Sequence, residues 1–251
     1  MAVKKTATDT AENYGLKAAQ FIKELCALEK EQVAVNAKYF SKTDKTNMIL
    51  GVRMSAIFTI AKKYMHMSLV EINELLENKY YEVRMGAISI MDFRARDKKI
   101  THDNKKALFN LYINQHENIN NWDLVDRGAP YIVGGYLYDK PRRILYKLAR
   151  SKNIWERRTS IVATYYFIRK GETADTFSIA GLLVNDKEDL INKAVGSWIR
   201  EAGKYNPEKL LAFLDKYAAT MPRVTLRYAI EKLDRTRKNE YVKMNVNYEK
   251  K

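Results

Sequence analysis

The sequence predicts an all-α fold assembled from repeated helix pairs, and two observations lead to this fold class. The first is composition: the 251 residues include only 10 Gly and 4 Pro, too few turn-forming residues for the many short strands of a sandwich or barrel. The second is a short segment that recurs along the chain with a period typical of helical repeats. Together they favour a stack of helices.

The recurring segment opens with a large apolar residue, and in most copies a basic residue follows three positions later. Residues three apart share one face of a helix, so each copy predicts a helix. Successive copies start 31 to 41 residues apart. They read Leu50-Gly51-Val52-Arg53 (the weakest copy), Tyr81-Glu82-Val83-Arg84, Trp122-Asp123-Leu124-Val125, Trp155-Glu156-Arg157-Arg158, Leu190-Ile191-Asn192-Lys193 and Val224-Thr225-Leu226-Arg227.

A shorter helix precedes each of the later copies and completes the pairs. These helices are predicted near 68–78, 103–115, 141–149, 173–184 and 207–218. Pro207 suits a first helical turn and Gly171 a helix end. The tetratricopeptide pattern is missing and the intervals are uneven, which favours a HEAT-like solenoid with a concave binding face. We expect one repeat domain over residues 1–251, with flexible tails at 1–10 and 238–251.

The charge of the chain points to a polyanionic partner. Lys and Arg number 45 against 30 Asp and Glu, a formal net charge of +15, and basic side chains that neutralise phosphates release counterions. The repeat places Arg53, Arg84, Arg158, Lys193 and Arg227 at one position, which predicts a basic stripe. Further candidates for DNA binding are Arg142, Arg143 and Arg157. The alternative for any one of them is a solvated charged face.

Other features narrow the class of protein. The single cysteine, Cys26, excludes an internal disulfide, and the three histidines have no spacing that suggests zinc. The first ten residues lack the apolar segment of a signal peptide, and no apolar run approaches ~18 residues. We therefore expect a reduced, cytoplasmic protein with neither metal nor cofactor.

The copy at 121–126 departs from the repeat, because its basic position holds Val125 and a carboxylate, Asp126, follows. A carboxylate among basic neighbours opposes phosphate binding, so it needs a reason. One is a salt bridge or a favourable helix-dipole contact. The other is catalytic: a carboxylate near a sugar can stabilise an oxocarbenium-like transition state. Trp122 lies four residues earlier on the same face, where it could pack in the core or contact a cationic base.

Three stretches carry a resemblance to the DNA alkylation repair family, the AlkD-like DNA glycosylases. Residues 121–126 resemble its Trp-Asp-x-Val-Asp motif, 153–158 its Asn-x-Trp-x-x-Arg segment, and 193–201 its Lys-Ala-Ile-Gly-Trp-x-Leu-Arg-Glu segment. The resemblance extends from about residue 37 to 235. It implies a HEAT-like fold and release of cationic N3- and N7-alkylated purines from duplex DNA.

The resemblance also implies roles for individual residues. Asp126 matches the catalytic aspartate, Trp122 an aromatic beside the lesion, Arg158 an arginine that holds the DNA backbone, and Tyr39 a further aromatic. The family's second aromatic follows the Gly of its third segment, whereas here Ser197 occupies that position and Trp198 follows. One residue rotates a helical side chain by ~100°. Trp198 is therefore a candidate for DNA binding, with a position in the core as the alternative.

Two other functions remain compatible with the sequence. A non-catalytic nucleic-acid-binding repeat protein would need the basic face but not Asp126. A protein-interaction scaffold would use the same solenoid surface for an acidic protein. In each case we expect a monomer.

Overall fold

A computed structural model describes residues 15–29 and 47–245. All regular structure in these two ranges is helical, and the only β-type pairing there is an isolated bridge between Met48 and Tyr80. The all-α prediction is therefore confirmed. The chain forms two compact units, one ending at Gly128 and the other beginning at Ala129. That residues 1–251 make up one repeat domain stays a prediction.

The first unit is organised around one long helix, α4. Every residue of α4 from 81 to 92 is buried, because α2, α3, α5 and α6 all pack against it. Gly86 allows the close approach of α1, since a Cβ at that position would lie 2.2 Å from the ring of Phe21. The helices are α1 (Ala18–Cys26), α2 (Met54–Lys63), α3 (Leu69–Leu76), α4 (Tyr81–Arg96), α5 (His102–Asn114) and α6 (Trp122–Gly128).

The weakest predicted copy, at residues 50–53, is extended and not helical. Gly51 has a φ of +76°, which lies outside the right-handed helical region. The buried carboxylate of Glu82 accepts the backbone N–H groups of Leu50 and Gly51 at 3.0 and 2.9 Å. α2 begins only after Arg53, so this copy correctly marks a helix but not its first residue.

The second unit is organised around α12, which packs against α9, α11, α13 and α14. Gly196 lets α12 approach α14, since a Cβ there would lie 2.5 Å from the carbonyl oxygen of Thr225. The elements are a π-helix (Ala129–Gly134), α7 (Gly135–Leu137), α8 (Arg143–Leu148), α9 (Ile154–Val162), α10 (Tyr165–Ile168), α11 (Ala174–Leu183), α12 (Asp189–Gly203), α13 (Pro207–Tyr217), α14 (Arg223–Ala229) and α15 (Arg235–Met244).

Helix ends in the second unit follow the predicted chemistry in two places and differ in a third. Pro207 is the first residue of α13, and Gly171 adopts a φ of +82° past the end of α10. Residues from 238 were expected to form a flexible tail, but α15 continues to Met244. Its anchor is Tyr241, which is buried and donates a hydrogen bond to Asp215 at 2.8 Å.

Candidate active site

The two residues predicted to carry chemistry lie on α6. Trp122 and Asp126 are four positions apart, so they share one stripe of this seven-residue helix. Both side chains are half-buried, whereas Leu124 and Val125 between them are fully buried. The apolar pair packs the helix into the first unit and leaves the Trp122–Asp126 stripe partly exposed.

A second stripe of α6, formed by Asp123 and Arg127, makes polar contacts with α4. The hydroxyl of Tyr81 donates to the carboxylate of Asp123. At the other end of the helix, the guanidinium of Arg127 lies 3.1 Å from the fully buried carboxylate of Asp92. α6 is therefore joined to α4 by one polar contact near each of its ends.

Burial raises the pKa values of three polar groups between α4 and α6. Burial raises the pKa of the Asp123 carboxyl, and the nearby charge of Asp126 adds to the increase. Burial likewise raises the pKa of Tyr81 and of Asp92, although Arg127 and Arg96 act against it at Asp92. All three groups lie where α4 packs against α6, the helix that carries Asp126.

The guanidinium of Arg127 has an enclosed environment. It lies 4.6 Å from the ring centroid of Phe58 and 4.8 Å from that of Phe93, which are favourable cation–π distances. Asp92 also accepts a hydrogen bond from Arg96 at 2.8 Å. Arg127 therefore contributes to the interior of the first unit.

The basic residues of the repeat do not share one environment. Arg84 is buried and donates to the carbonyl oxygen of Asn78 at 2.6 Å and to Asn120 at 3.1 Å. Arg158 is buried and donates to the carbonyl oxygen of Leu190, the second residue of α12, at 2.7 Å. Both arginines thus join one repeat to the start of the next, instead of lining the expected surface stripe.

The remaining basic candidates divide into paired and exposed residues. Arg142 forms ion pairs of 2.6 Å with both Glu172 and Asp175. Arg157 pairs with Asp186 at 2.6 Å, and Lys193 pairs with Asp189 at 2.6 Å on the surface of α12.

Among the basic candidates, Arg53, Arg143 and Arg227 are exposed to solvent and Lys193 is partly exposed. They are the basic candidates best placed to meet a phosphate. Tyr39 lies outside the described residues.

A family model described as DNA alkylation repair enzyme matches residues 21–233 of the chain. The chain belongs to the DNA alkylation repair enzyme family. The resemblance predicted from the three motifs is thereby confirmed. Membership gives the chain a role in the repair of alkylated DNA and implies that it binds DNA.

Two solved structures are similar to the chain. A structure described as a predicted DNA alkylation repair enzyme from Enterococcus faecalis has a TM-score of 0.65 at 14% identity, covering 83% of this chain and 98% of its own. AlkD2 from Streptococcus mutans has a TM-score of 0.48 at 16% identity, covering 90% of this chain and 94% of its own. No curated protein matches the sequence. The Enterococcus structure supports an all-α helical-repeat fold.

The departure from the family's third motif has a structural counterpart. Trp198 is half-buried and stacks on Tyr165, with ring centroids 5.2 Å apart. Its indole nitrogen is buried, and Ser197, at the family's aromatic position, is half-buried. The aromatic that this alkylation repair protein carries on α12 is therefore engaged with a neighbouring ring.

The sequence predicted roles for Asp126 and Trp122 but not for the residues that contact α6. Tyr81 was expected only to open a repeat copy, and Asp92, Phe58 and Phe93 belong to none of the predicted motifs. Asp92 did carry a signal in the sequence, because it separates the apolar Ile90 and Met91 from Phe93. A carboxylate in a buried helix needs a partner.

Within residues 15–29 and 47–245, no three His, Cys, Asp or Glu side chains are grouped to hold a metal, and no helix is long and apolar enough to cross a membrane.

Proposed function

We propose that this chain is a DNA glycosylase that hydrolyses the N-glycosidic bond of cationic N3- and N7-alkylated purines in duplex DNA. The observation that carries the proposal is Asp126: a partly exposed carboxylate beside Trp122, in a family member with a net charge of +15. We further propose that it works as a monomer in the cytoplasm, on nucleoid DNA.

The proposed reaction needs little from the protein beyond electrostatics. The bond between C1′ and the purine nitrogen breaks, and its electron pair neutralises the positive charge of the alkylated base. A water oxygen then bonds to C1′ and releases one proton. Because the base leaves neutral, a general acid is not required. Preorganised charge at the site of developing charge is commonly the largest catalytic contribution.

The site residues have separate tasks in this reaction. The Asp126 carboxylate stabilises the positive charge that develops on the sugar and orients the attacking water. The ring of Trp122 lies on the same stripe and contacts the cationic nucleotide. The exposed or partly exposed cations Arg143, Lys193 and Arg227 are proposed to bind phosphates.

The test is base release by Asp126→Asn. We expect the single-turnover release of 7-methylguanine from methylated duplex DNA to fall by about 10²–10³-fold, the loss seen when one electrostatic stabiliser is removed. Duplex affinity should persist, because the substitution removes a negative charge.

The matched control is Asp103→Asn, the same substitution on α5 at a side chain that is 83% exposed. It should leave release unchanged. Full release by Asp126→Asn would remove this carboxylate from the mechanism.

The second candidate is nucleic-acid binding without base release. The observation that favours it is Trp198, whose ring stacks on Tyr165 while Ser197 occupies the family's aromatic position. Tight binding of methylated duplex DNA by the wild-type protein, with no released base over many hours, would select this candidate. Negligible duplex binding at low salt would instead favour a protein-interaction scaffold.

A further inference from the structure

α6 presents two different stripes to its surroundings. Trp122 and Asp126 form one, and Asp123 and Arg127 form the other, each member one residue further along the chain. Each residue advances the direction of a helical side chain by ~100°. The direction of the first stripe is therefore determined by whatever holds the second.

The second stripe is held near both ends of the helix. Near the beginning, the buried Tyr81 of α4 donates its hydroxyl hydrogen bond to Asp123. Near the end, Arg127 meets the fully buried Asp92 of α4 at 3.1 Å, with its guanidinium between the rings of Phe58 and Phe93. The Tyr81–Asp123 contact is a directional hydrogen bond and the Arg127–Asp92 contact is an ion pair with a fully buried carboxylate, whereas the apolar burial of Leu124 and Val125 is non-directional.

Such restraint matters for this helix in particular. α6 has only seven residues, and a π-helix begins at the next residue, Ala129. The backbone hydrogen-bonding pattern changes there from that of an α-helix to i→i+5. Without fixed contacts, the rotation of α6 would depend on non-directional packing.

We propose that the Tyr81–Asp123 and Asp92–Arg127 contacts set the rotation of α6 and thereby position Asp126 and Trp122. Tyr81, Asp92 and Arg127 are positioning residues in this scheme. The catalytic consequence rests on the proposed glycosylase function, whereas the effect on the direction of the Trp122–Asp126 stripe does not. A misplacement of about 1 Å can reduce a rate by about 10²-fold, so loosening one contact should reduce turnover measurably.

The first experiment compares Tyr81→Phe with Tyr241→Phe. Both substitutions remove a tyrosine hydroxyl that donates to an aspartate, but Tyr241 pairs with Asp215 in the second unit. Tyr81→Phe should lower the single-turnover release rate by about tenfold or more and leave the Kd for methylated duplex DNA unchanged. Tyr241→Phe should change neither quantity.

A double-mutant cycle separates positioning from a general loss of structure. In an Asp126→Asn background, Tyr81→Phe should cause a smaller loss of rate than in the wild type, because one of the two groups that it positions is already gone. An undiminished loss in that background would overturn the proposal, as would wild-type release by Tyr81→Phe alone.

Arg127 supplies a second, independent pair of variants. Arg127→Lys retains a cation beside Asp92 and should recover part of the rate that Arg127→Met loses. If Arg127→Met does not fold, Asp92→Leu combined with Arg127→Met replaces the ion pair by apolar groups, an exchange that proteins often tolerate. That double variant should fold and release base slowly, and wild-type release by it would contradict the proposal.

A readout independent of activity distinguishes failure of this inference from failure of the proposed function. The chain has three tryptophans, Trp122, Trp155 and Trp198, so 5-fluorotryptophan labelling gives three ¹⁹F resonances. In Tyr81→Phe and Arg127→Met, only the Trp122 resonance should shift or broaden. An unchanged Trp122 resonance would overturn the inference even if the wild type is active. A shifted resonance with no base release by the wild type would refute only the glycosylase.

Discussion

α6 and α9 begin alike in sequence, but α9 is held by a contact with the repeat that follows it and α6 by contacts with the repeat that precedes it. Each follows an asparagine that accepts the backbone N–H of a tryptophan, Asn121 for Trp122 and Asn153 for Trp155, both at 2.8 Å. In α9 the basic repeat position is Arg158, which reaches forward to the carbonyl oxygen of Leu190. In α6 that position is the buried Val125, and the polar contacts run back to α4.

The two helices use their basic repeat position differently. The guanidinium of an arginine that joins consecutive repeats is hydrogen-bonded to protein oxygens, although its charge predicts phosphate binding. Val125 occupies this position in α6, so the contact with the following repeat is absent there. The contacts of Asp123 and Arg127 with the preceding helix α4 hold α6 instead. The neighbouring stripe of α6 is then available for a carboxylate.

The largest effect that tests this comparison is on stability, through Arg158→Met. This variant removes a hydrogen bond between a buried charged side chain and a backbone carbonyl oxygen, so we expect the free energy of unfolding to fall by about 1.5–3 kcal/mol. Urea denaturation measures it. The control is Arg143→Met, because Arg143 is an exposed residue at the start of α8 and should change stability by less than about 0.5 kcal/mol.

The same two variants distinguish a buried arginine from one that is proposed to bind a phosphate. Arg143→Met should lower the slope of log affinity against log salt by about 0.9, the value for one lost phosphate contact. Arg158→Met should leave that slope unchanged. An equal loss of slope in both variants would place Arg158 on the DNA, and an unchanged unfolding free energy in Arg158→Met would refute its forward anchoring role.

A smaller effect concerns Asp123, whose contact with Tyr81 joins α6 to α4. It appears as a pH dependence of the free energy of unfolding. Burial raises the pKa of Asp123 above its ordinary value of 3.8. The unfolded chain therefore loses this proton first, and the carboxyl contributes less stability as the pH rises from 3.8 to its folded value. Asp123→Asn removes that decline, so the unfolding free energy of the variant minus that of the wild type should increase over this range.

Glu71 provides a control of opposite sign in the same unit. Its pKa is lowered from 4.5, first by the backbone N–H of Ala18 and then by Lys17. Its stabilisation is present above pH 4.5 and is lost as the pH falls through the folded value. For Glu71→Gln, the same difference should therefore decrease as the pH rises. Parallel trends in the two variants would contradict the assigned environments.

The fold was largely predictable because its signals are local. The helices predicted near 68–78, 103–115 and 207–218 lie within a few residues of the observed α3, α5 and α13, since apolar spacing and residues such as Pro207 act over one or two turns. Asp126 was conspicuous because it breaks the repeat.

The supporting contacts were not predictable, because they join residues far apart in sequence. Tyr81 and Asp123 are 42 positions apart, and no local pattern signals their pairing. Periodicity identified Arg84 and Arg158 as equivalent, but it could not show which face of a helix its neighbours cover.

The smallest expected effect extends the comparison to the aromatic residues of the two units. α6 presents Trp122 beside Asp126, whereas Trp198 on α12 stacks on Tyr165. Ser197→Trp places an indole at the family's aromatic position, rotated ~100° from Trp198. A contact between an aromatic ring and a cation is worth about 0.5–1 kcal/mol at an exposed site. Release of 7-methylguanine should therefore rise by about two- to fivefold, measured at single turnover. Ser197→Leu adds apolar bulk without a π face and should give no gain. Equal gains from Leu and Trp would attribute the effect to packing, and no gain from Trp would mean that α6 supplies the aromatic contact alone.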